Sequence, residues 1–229
     1  MPPKKVDTKS RAELDSAITS LTKRLRANAK KMGPLRAQLA KVQKQRQTLK
    51  AWRLTRRAQR DRLNKTPRQR VLSEALKFVG QTEQPSGSNR GPGIVSKCQK
   101  ELLGYDGVAW CGCFGAYLLS HYGGVKVTSR MAYCPFNVND AEAKKNGWAG
   151  VRRDKNLAEP GDCAMMDWQH DGTADHFVIL RKNLGNGWFE TIEGNTSFDN
   201  AGSQSNGGCV AIRKRSISDM QAICIPAYS

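Results

Sequence analysis

The chain has 229 residues, 38 Lys and Arg against 20 Asp and Glu, a net charge of +18 and seven cysteines. Residues 1–70 hold 22 of the basic residues and 4 acidic ones, whereas residues 71–229 hold 16 of each. The excess positive charge therefore lies in the first third, which carries only one aromatic residue, Trp52. This excludes a uniformly basic globule. It predicts a cationic, core-poor arm over 1–66 and a neutral domain over 67–229, large enough to bury a core. No apolar run approaches the roughly 18–20 residues of a membrane span. Met1-Pro2-Pro3-Lys4-Lys5 is followed by no apolar stretch of a signal peptide. Synthesis in a reducing cytoplasm is expected, with cysteines as thiols rather than a disulfide framework.

In the arm, Ser10-Arg11-Ala12-Glu13 reads as a capping box that opens a helix. Apolar residues then recur at spacings of four and three: Leu14, Ile18, Leu21, Leu25, Met32, Leu35, Leu39, Val42 and Leu49. This is the seam of a coiled coil or helical hairpin, with Asn28 and Arg46 in seam positions. Gly33-Pro34 interrupts it. The expectation is two helices, about 11–32 and 34–63, folded back on each other or running on with a kink. Such an arm serves solubility or oligomerisation, or it attracts a polyanion. Nucleic acid, anionic wall polymers and a membrane surface are the candidate partners. The arm has no zinc-ligand pattern and no aromatic platform for stacked bases, so nucleic acid is not favoured.

In the neutral domain, Thr66-Pro67 signals a helix start, with Val71, Ala75, Leu76 and Val79 at helical spacing and Gly80 ending the run. Residues 84–93 form a turn-rich loop. Short helices are predicted near 94–103 and from Ala109 to Tyr122, the second with Gly112, Gly115 and Ala116 permitting close packing. Asn139 is predicted to cap a further helix through Lys145. After Pro160-Gly161 the pattern changes to strands: Asp162–Trp168, His176–Lys182, Gly187–Glu193, Cys209–Arg215 and Ala222–Ile225. Asp171-Gly172, Asn186-Gly187 and Asn206-Gly207-Gly208 mark hairpin turns. Helices first and antiparallel strands second define an α+β domain.

Among seven cysteines and three histidines, paired zinc-ligand spacing is missing apart from Cys111-Gly112-Cys113. A nucleophilic cysteine needs its thiolate stabilised and a base beside it. Cys111 opens the Gly/Ala-rich helix, where free N–H groups and the positive dipole end favour a thiolate. Cys113 lies about 200° further round and reads as packing. Cys98, Cys134, Cys163, Cys209 and Cys224 read as small core hydrophobes. His121 lies about 15 Å along the same helix, too far to act on Cys111. His170 falls in a polar turn, and His176 starts an apolar strand, where its ring can be held rigidly at a cleft. Glu193 and Asn195 end the next strand. If the two strands pair as a hairpin, Glu193 comes near His176 and can orient it. The competing reading is buried thiols and a structural histidine.

Trp110-Cys111-Gly112-Cys113-Phe114, Pro160-Gly161-Asp162, Asp175-His176-Phe177-Val178-Ile179 and Ile192-Glu193-Gly194-Asn195 together resemble the ordered signature of a CHAP domain. Such domains belong to the papain-like, NlpC-type superfamily. The resemblance spans roughly residues 67–229 and rests on four short pieces in order. It implies a papain-like domain with helices packed on an antiparallel sheet, and cleavage of an amide in bacterial peptidoglycan by an endopeptidase or amidase. By position it implies Cys111 as nucleophile, His176 as base, and Glu193 and Asn195 as orienting residues. A bacteriophage endolysin, made in the host cytoplasm and acting at the cell wall, is the setting it implies. Many relatives of this type bind calcium just before the cysteine, but here that segment holds only Asp106. A second loop, Asp167-x-Gln169-x-Asp171-Gly172-x-x-Asp175, has the offsets of a calcium loop without its terminal Glu, and a polar hairpin turn is the preferred reading. The alternatives from other classes are a virion structural or assembly protein with an inactive papain-like domain and a nucleic-acid- or partner-binding arm, and a signalling cysteine peptidase of the deubiquitinase kind.

Overall fold

Proline inside a helix costs a backbone hydrogen bond and crowds the preceding turn. Even so, the arm is one helix, α1 (Thr8–Leu63), with Pro34 within it. No hairpin and no pair of helices forms; of the two arrangements expected, the chain runs on. The Lys, Arg, Ala, Leu and Gln residues on both sides are good helix formers and carry it across the break. Every described residue from 12 to 57 is exposed, so water can take the carbonyl that Pro34 leaves unpaired. The computed structural model describes residues 8–199 and 202–229, and the side chains of 12–57, 64–199 and 202–229. Because α1 starts at Thr8, the Ser10–Glu13 box falls inside the helix; the side chains of its first two residues lie outside those described. The described seam residues are exposed, Leu14 at 65% and Leu25 at 66%. The chain divides into two units between Asp61 and Arg62.

The second unit opens as the spacing predicts. Thr66 accepts from the Gln69 N–H, the Gln69 side chain accepts from the Thr66 N–H, and Pro67 fills the first turn of α2 (Pro67–Ala75). Helices α3 (Ile94–Leu103) and α4 (Cys111–Gly123) follow, each closed by a left-handed glycine, Gly104 and Gly124. The next helix, α5 (Cys134–Glu142), departs from the expected Asn139 cap. Pro135 sits in its first turn and Asn139 lies within it. The Cys134-Pro135 pair was the stronger start signal, because proline at that position gives up only an amide that has no helical partner.

The strands are β1 (Trp148–Val151), β2 (Cys163–Met166), β3 (His176–Gly185), β4 (Trp188–Thr196), β5 (Cys209–Ser216) and β6 (Met220–Pro226). They form an antiparallel sheet in the order β1-β6-β2-β3-β4-β5. β1 was not anticipated; its four residues are too few to show an alternation, and pairing with β6 makes it a strand. Asn186 and Gly187 both take positive φ, 51° and 75°, in the turn that joins β3 to β4. This register pairs Ile179 with Ile192. The fold class is α+β, as expected.

The main core lies between the helices and one face of the sheet, with Phe114, Leu118, Phe177, Ile179 and Ile192 among its members. A smaller cluster, including Val178, Leu180, Phe189 and Met220, fills the other face. Gly115 sets how closely α4 approaches β3, since a Cβ there would lie 2.2 Å from the ring of Phe177. Gly115→Ala is therefore expected to cost about 1–3 kcal/mol by overpacking, read as a melting temperature lowered by several degrees with the wild-type fold kept. An unchanged melting temperature would show that the contact is looser than described. Among the described residues no helix is long and apolar enough to cross a membrane.

Candidate active site

Cys111 is the first residue of α4, and Trp110 precedes it as N-cap. Trp110 is buried and fixed by its Nε1–H, which donates to Glu83 Oε1 at 2.9 Å. The cysteine therefore sits where unpaired helix amides and the dipole favour an anion. Gly112 admits a neighbouring backbone at unusually short range: a Cβ there would lie 2.4 Å from the Met131 carbonyl oxygen. The segment leading into α5 thus presses on the start of α4 and brings Cys134 Sγ to 3.6 Å from Cys111 Sγ.

His176 opens β3 with no exposed surface. Its Nε2 lies 3.2 Å from Glu193 Oε2. The N–H is not aligned for a hydrogen bond, so the contact is an ion pair. Glu193 is also fully buried, and Arg215 grips it in a fork, Nε to Oε1 at 2.8 Å and Nη2 to Oε2 at 2.6 Å. The Thr191 hydroxyl donates to Oε1 at 2.5 Å. Trp168 stacks on the His176 ring at 5.7 Å, and the Arg215 guanidinium lies 5.1 Å from the centre of the same indole.

These neighbours decide where the protons sit. A hydrogen bond from the Cys134 thiol, opposed by burial and aided by the nearby His176 charge and by the Phe177 N–H, holds Cys111 well below the ordinary thiol range. The same hydrogen bond, with burial and the Cys111 charge, pushes Cys134 well up. Burial pushes His176 down, but the Cys111 charge and contacts with Cys111 and Glu193 outweigh it and raise the imidazole to about 9. Burial likewise pushes Glu193 up, yet Arg215 and His176 bring it down to about 2. These shifts favour a thiolate beside an imidazolium, backed by a carboxylate and a guanidinium.

The structure thus brings Cys111, His176 and Glu193 together. Asn195 is placed differently. It is buried with φ 58°, and its Nδ2 donates to Asn206 Oδ1 at 3.1 Å and lies 3.5 Å from the Ser205 carbonyl, so its described contacts run to that turn. His121 is on the surface, with Nε2 3.1 Å from Glu101, and His170 is exposed near Asp219. All seven cysteines are buried and none forms a disulfide. Burial raises Cys113 to about 12, in keeping with a packing role. Cys134 lies in the core as expected and in addition touches Cys111.

The 167–175 loop behaves as a turn. Asp167 accepts the N–H groups of Asp171 and Gly172, Asp171 that of Thr173, and Asp175 that of Trp168. The Gln169 amide, with nitrogen and oxygen exchanged, donates to Asp175. The carboxylates cap backbone rather than converge, and among the described residues no group of three or more His, Cys, Asp or Glu side chains could hold a metal. Asp106 pairs instead with Arg90 and Lys100, each at 3.3 Å.

Arg215, Thr191, Trp168 and Cys134 were missed as members of the site. One signal for Arg215 was available. In β5, Arg213 and Arg215 are buried while Ile212 and Lys214, which alternate with them, face out, an inverted alternation that marks a polar interior face.

No family model matches the chain, and no curated protein does. Among the solved structures that resemble it in part are two of low sequence identity. One is the wild-type endolysin LysIME-EF1, at 14% identity over 72% of this chain and 66% of that one, with a TM-score of 0.43. The other is an NlpC/P60 family protein from Bacillus cereus, at 11% identity over 71% of this chain and 40% of that one, with a TM-score of 0.38. The chain spans less than two thirds of the length of either.

Proposed function

We propose that residues 67–229 form a CHAP-type, papain-like cysteine hydrolase that cleaves an amide bond of bacterial peptidoglycan, as a bacteriophage endolysin does. The observation that carries this reading is the line Cys111–His176–Glu193, with the cysteine at the start of α4 and held as a thiolate. The Cys111 thiolate attacks the amide carbonyl carbon, and the carbonyl electrons move onto oxygen. Amides at the α4 N-terminus are placed to stabilise that oxyanion. When the C–N bond breaks, the His176 imidazolium gives its proton to the leaving amine, and a thioester remains on Cys111. Neutral His176 then takes a proton from water, whose oxygen displaces the thiolate and releases a carboxylic acid. Glu193 offsets the imidazolium charge; the CHAP resemblance implies an orienting role for Asn195 as well, but its described contacts run to the 205–206 turn and no step is assigned to it. No step is routed through a metal.

The test is incubation of the full chain with purified cell walls, followed by mass spectrometry of the released fragments. New amine and carboxyl ends at one defined amide are expected. Intact walls, or breakage at a sugar–sugar bond, would refute the reading.

We further propose that α1 holds the enzyme against an anionic envelope, either wall polymers or a membrane surface. Nucleic acid is the less favoured partner, and the exposed seam is a second route to self-association through the arm. Deleting residues 1–66 is expected to weaken cell binding about tenfold or more at low salt and to flatten its salt dependence, leaving cleavage of soluble muropeptides within about twofold. Binding that is unaffected by the deletion would assign the arm to solubility or oligomerisation.

A further inference from the structure

We infer that Arg215 is a positioning residue of this site: it holds the Glu193 carboxylate ionised and aimed at His176. The inference rests on the hydrolase reading for its catalytic meaning. It names a residue that neither the sequence motifs nor the proposed chemistry assigns. Glu193 Oε2 is shared, accepting from Arg215 Nη2 at 2.6 Å while facing His176 Nε2 at 3.2 Å. The second arm of the fork, Nε to Oε1 at 2.8 Å, stops the carboxylate from turning about its own axis. The guanidinium is itself fixed. Nη1 donates to Gln204 Oε1 at 2.9 Å, Nη2 reaches Thr196 Oγ1 at 3.2 Å, and one face lies on Trp168, whose ring stacks on His176. One buried cation therefore sets the carboxylate directly and abuts the indole that packs on the imidazole.

Stability alone is a weak reason for this arrangement. Arg215 is 5% exposed and Glu193 is fully buried, and a buried ion pair generally does little better than an apolar pair of similar volume. What the pair supplies is an anion of fixed direction where an imidazolium must be held. The titratable and charged groups around Glu193 are His176 from β3, Cys209, Arg213 and Arg215 from β5, and, beyond the imidazole, Cys111 of α4 and Cys134 of α5. Arg213 donates to Gln204 Oε1 at 2.8 Å, on the same amide oxygen that Arg215 uses. Losing the Arg215 cation raises the proton affinity of Glu193 and, on the proposal, removes positive charge that favours the Cys111 thiolate through the His176–Glu193 pair. Thiolate at Cys111 is then lost at a higher pH.

The test follows alkylation of Cys111 by iodoacetamide against pH in the full chain, with the modified peptide quantified by mass spectrometry. In Arg215→Met the acid-side midpoint is expected to rise by about one pH unit or more, which is about tenfold slower alkylation on that limb. Arg215→Lys keeps the charge and loses the fork. It is expected to recover most of the midpoint, while wall cleavage shows a lower kcat at unchanged KM. A folded Arg215→Met with an unmoved midpoint overturns the inference. If that variant does not fold, Arg215→Lys with wild-type kcat and midpoint overturns it. Alkylation needs no wall substrate, so wild type that fails to cut walls would refute the hydrolase reading and leave this test standing.

Discussion

Cys111→Ala is expected to remove wall cleavage, by about 10³-fold or more in rate of turbidity loss, while the protein keeps its fold. The size of the effect follows from what the sulfur supplies. It is the only thiol at the α4 N-terminus that His176 faces, and the charge that makes it reactive is stabilised by the Cys134 thiol, the imidazolium and the Phe177 N–H together. Alanine removes the nucleophile and nothing else of that constellation. The structural cost is small, because one buried sulfur leaves a void worth about 1 kcal/mol. Cys113 cannot substitute, since burial holds it as a thiol with a pKa of about 12. Turbidity loss within tenfold of wild type, from a variant with a native circular dichroism spectrum, would mean that the reaction does not pass through Cys111.

The second large effect is expected from Glu193→Gln, on stability and on pH dependence together. The substitution leaves Arg215 buried without its counter-ion. Stranding one member of a buried pair costs about 3–5 kcal/mol. The sign of the pH effect follows from the two shifts. Glu193 titrates at about 2 in the folded protein against a usual value near 4.5, so its contribution is fully present above about pH 4.5 and is lost as pH falls towards 2. The glutamine variant lacks that contribution, and its stability is flatter across this acid window. His176 titrates at about 9, partly through Glu193, and keeps its proton until the pH rises through that value. Without the carboxylate the imidazolium is held less firmly, so the alkaline limb of the activity profile moves to lower pH. Calorimetry across the acid range and wall cleavage across the alkaline range measure the two effects. An alkaline limb that stays near 9 would show that Glu193 does not support the imidazolium.

Much of this site was legible before any fold was known. The start of α4 could be seen because Trp110-Cys111 precedes a Gly/Ala-rich run closed by Gly123-Gly124. The β3–β4 hairpin could be seen because two apolar strands flank Asn186-Gly187, which suits the positive φ of a tight turn. That local turn explains why the two strands lie side by side, but two irregularities, at 180–182 and 183–185, shift the pairing by two residues and bring Glu193 closer to His176 than a regular ladder would. The arm's charge and seam were equally local, yet its continuity through Pro34 was not. Proline weakens a helix without determining whether the chain turns back, and the residues on both sides settled it.

The sequence by itself thus determined the division into a cationic helix and a neutral α+β domain, the hairpin, and the candidate residues Cys111, His176 and Glu193. Only the tertiary structure decided which groups complete the site. Arg215 meets Glu193 from a neighbouring strand 22 residues away, and a slip of one residue in the β4–β5 register would turn its side chain to the opposite face of the sheet. Cys134 meets Cys111 across 23 residues, because Gly112 lets two backbones approach and α5 starts at Cys134 rather than Asn139. Asn195 lies two residues from Glu193 in sequence, but a positive φ sends its side chain to another turn. Composition and periodicity act over a few neighbours along the chain. The partners of a buried charge are selected by strand register and backbone packing, and these exist only once the chain has folded.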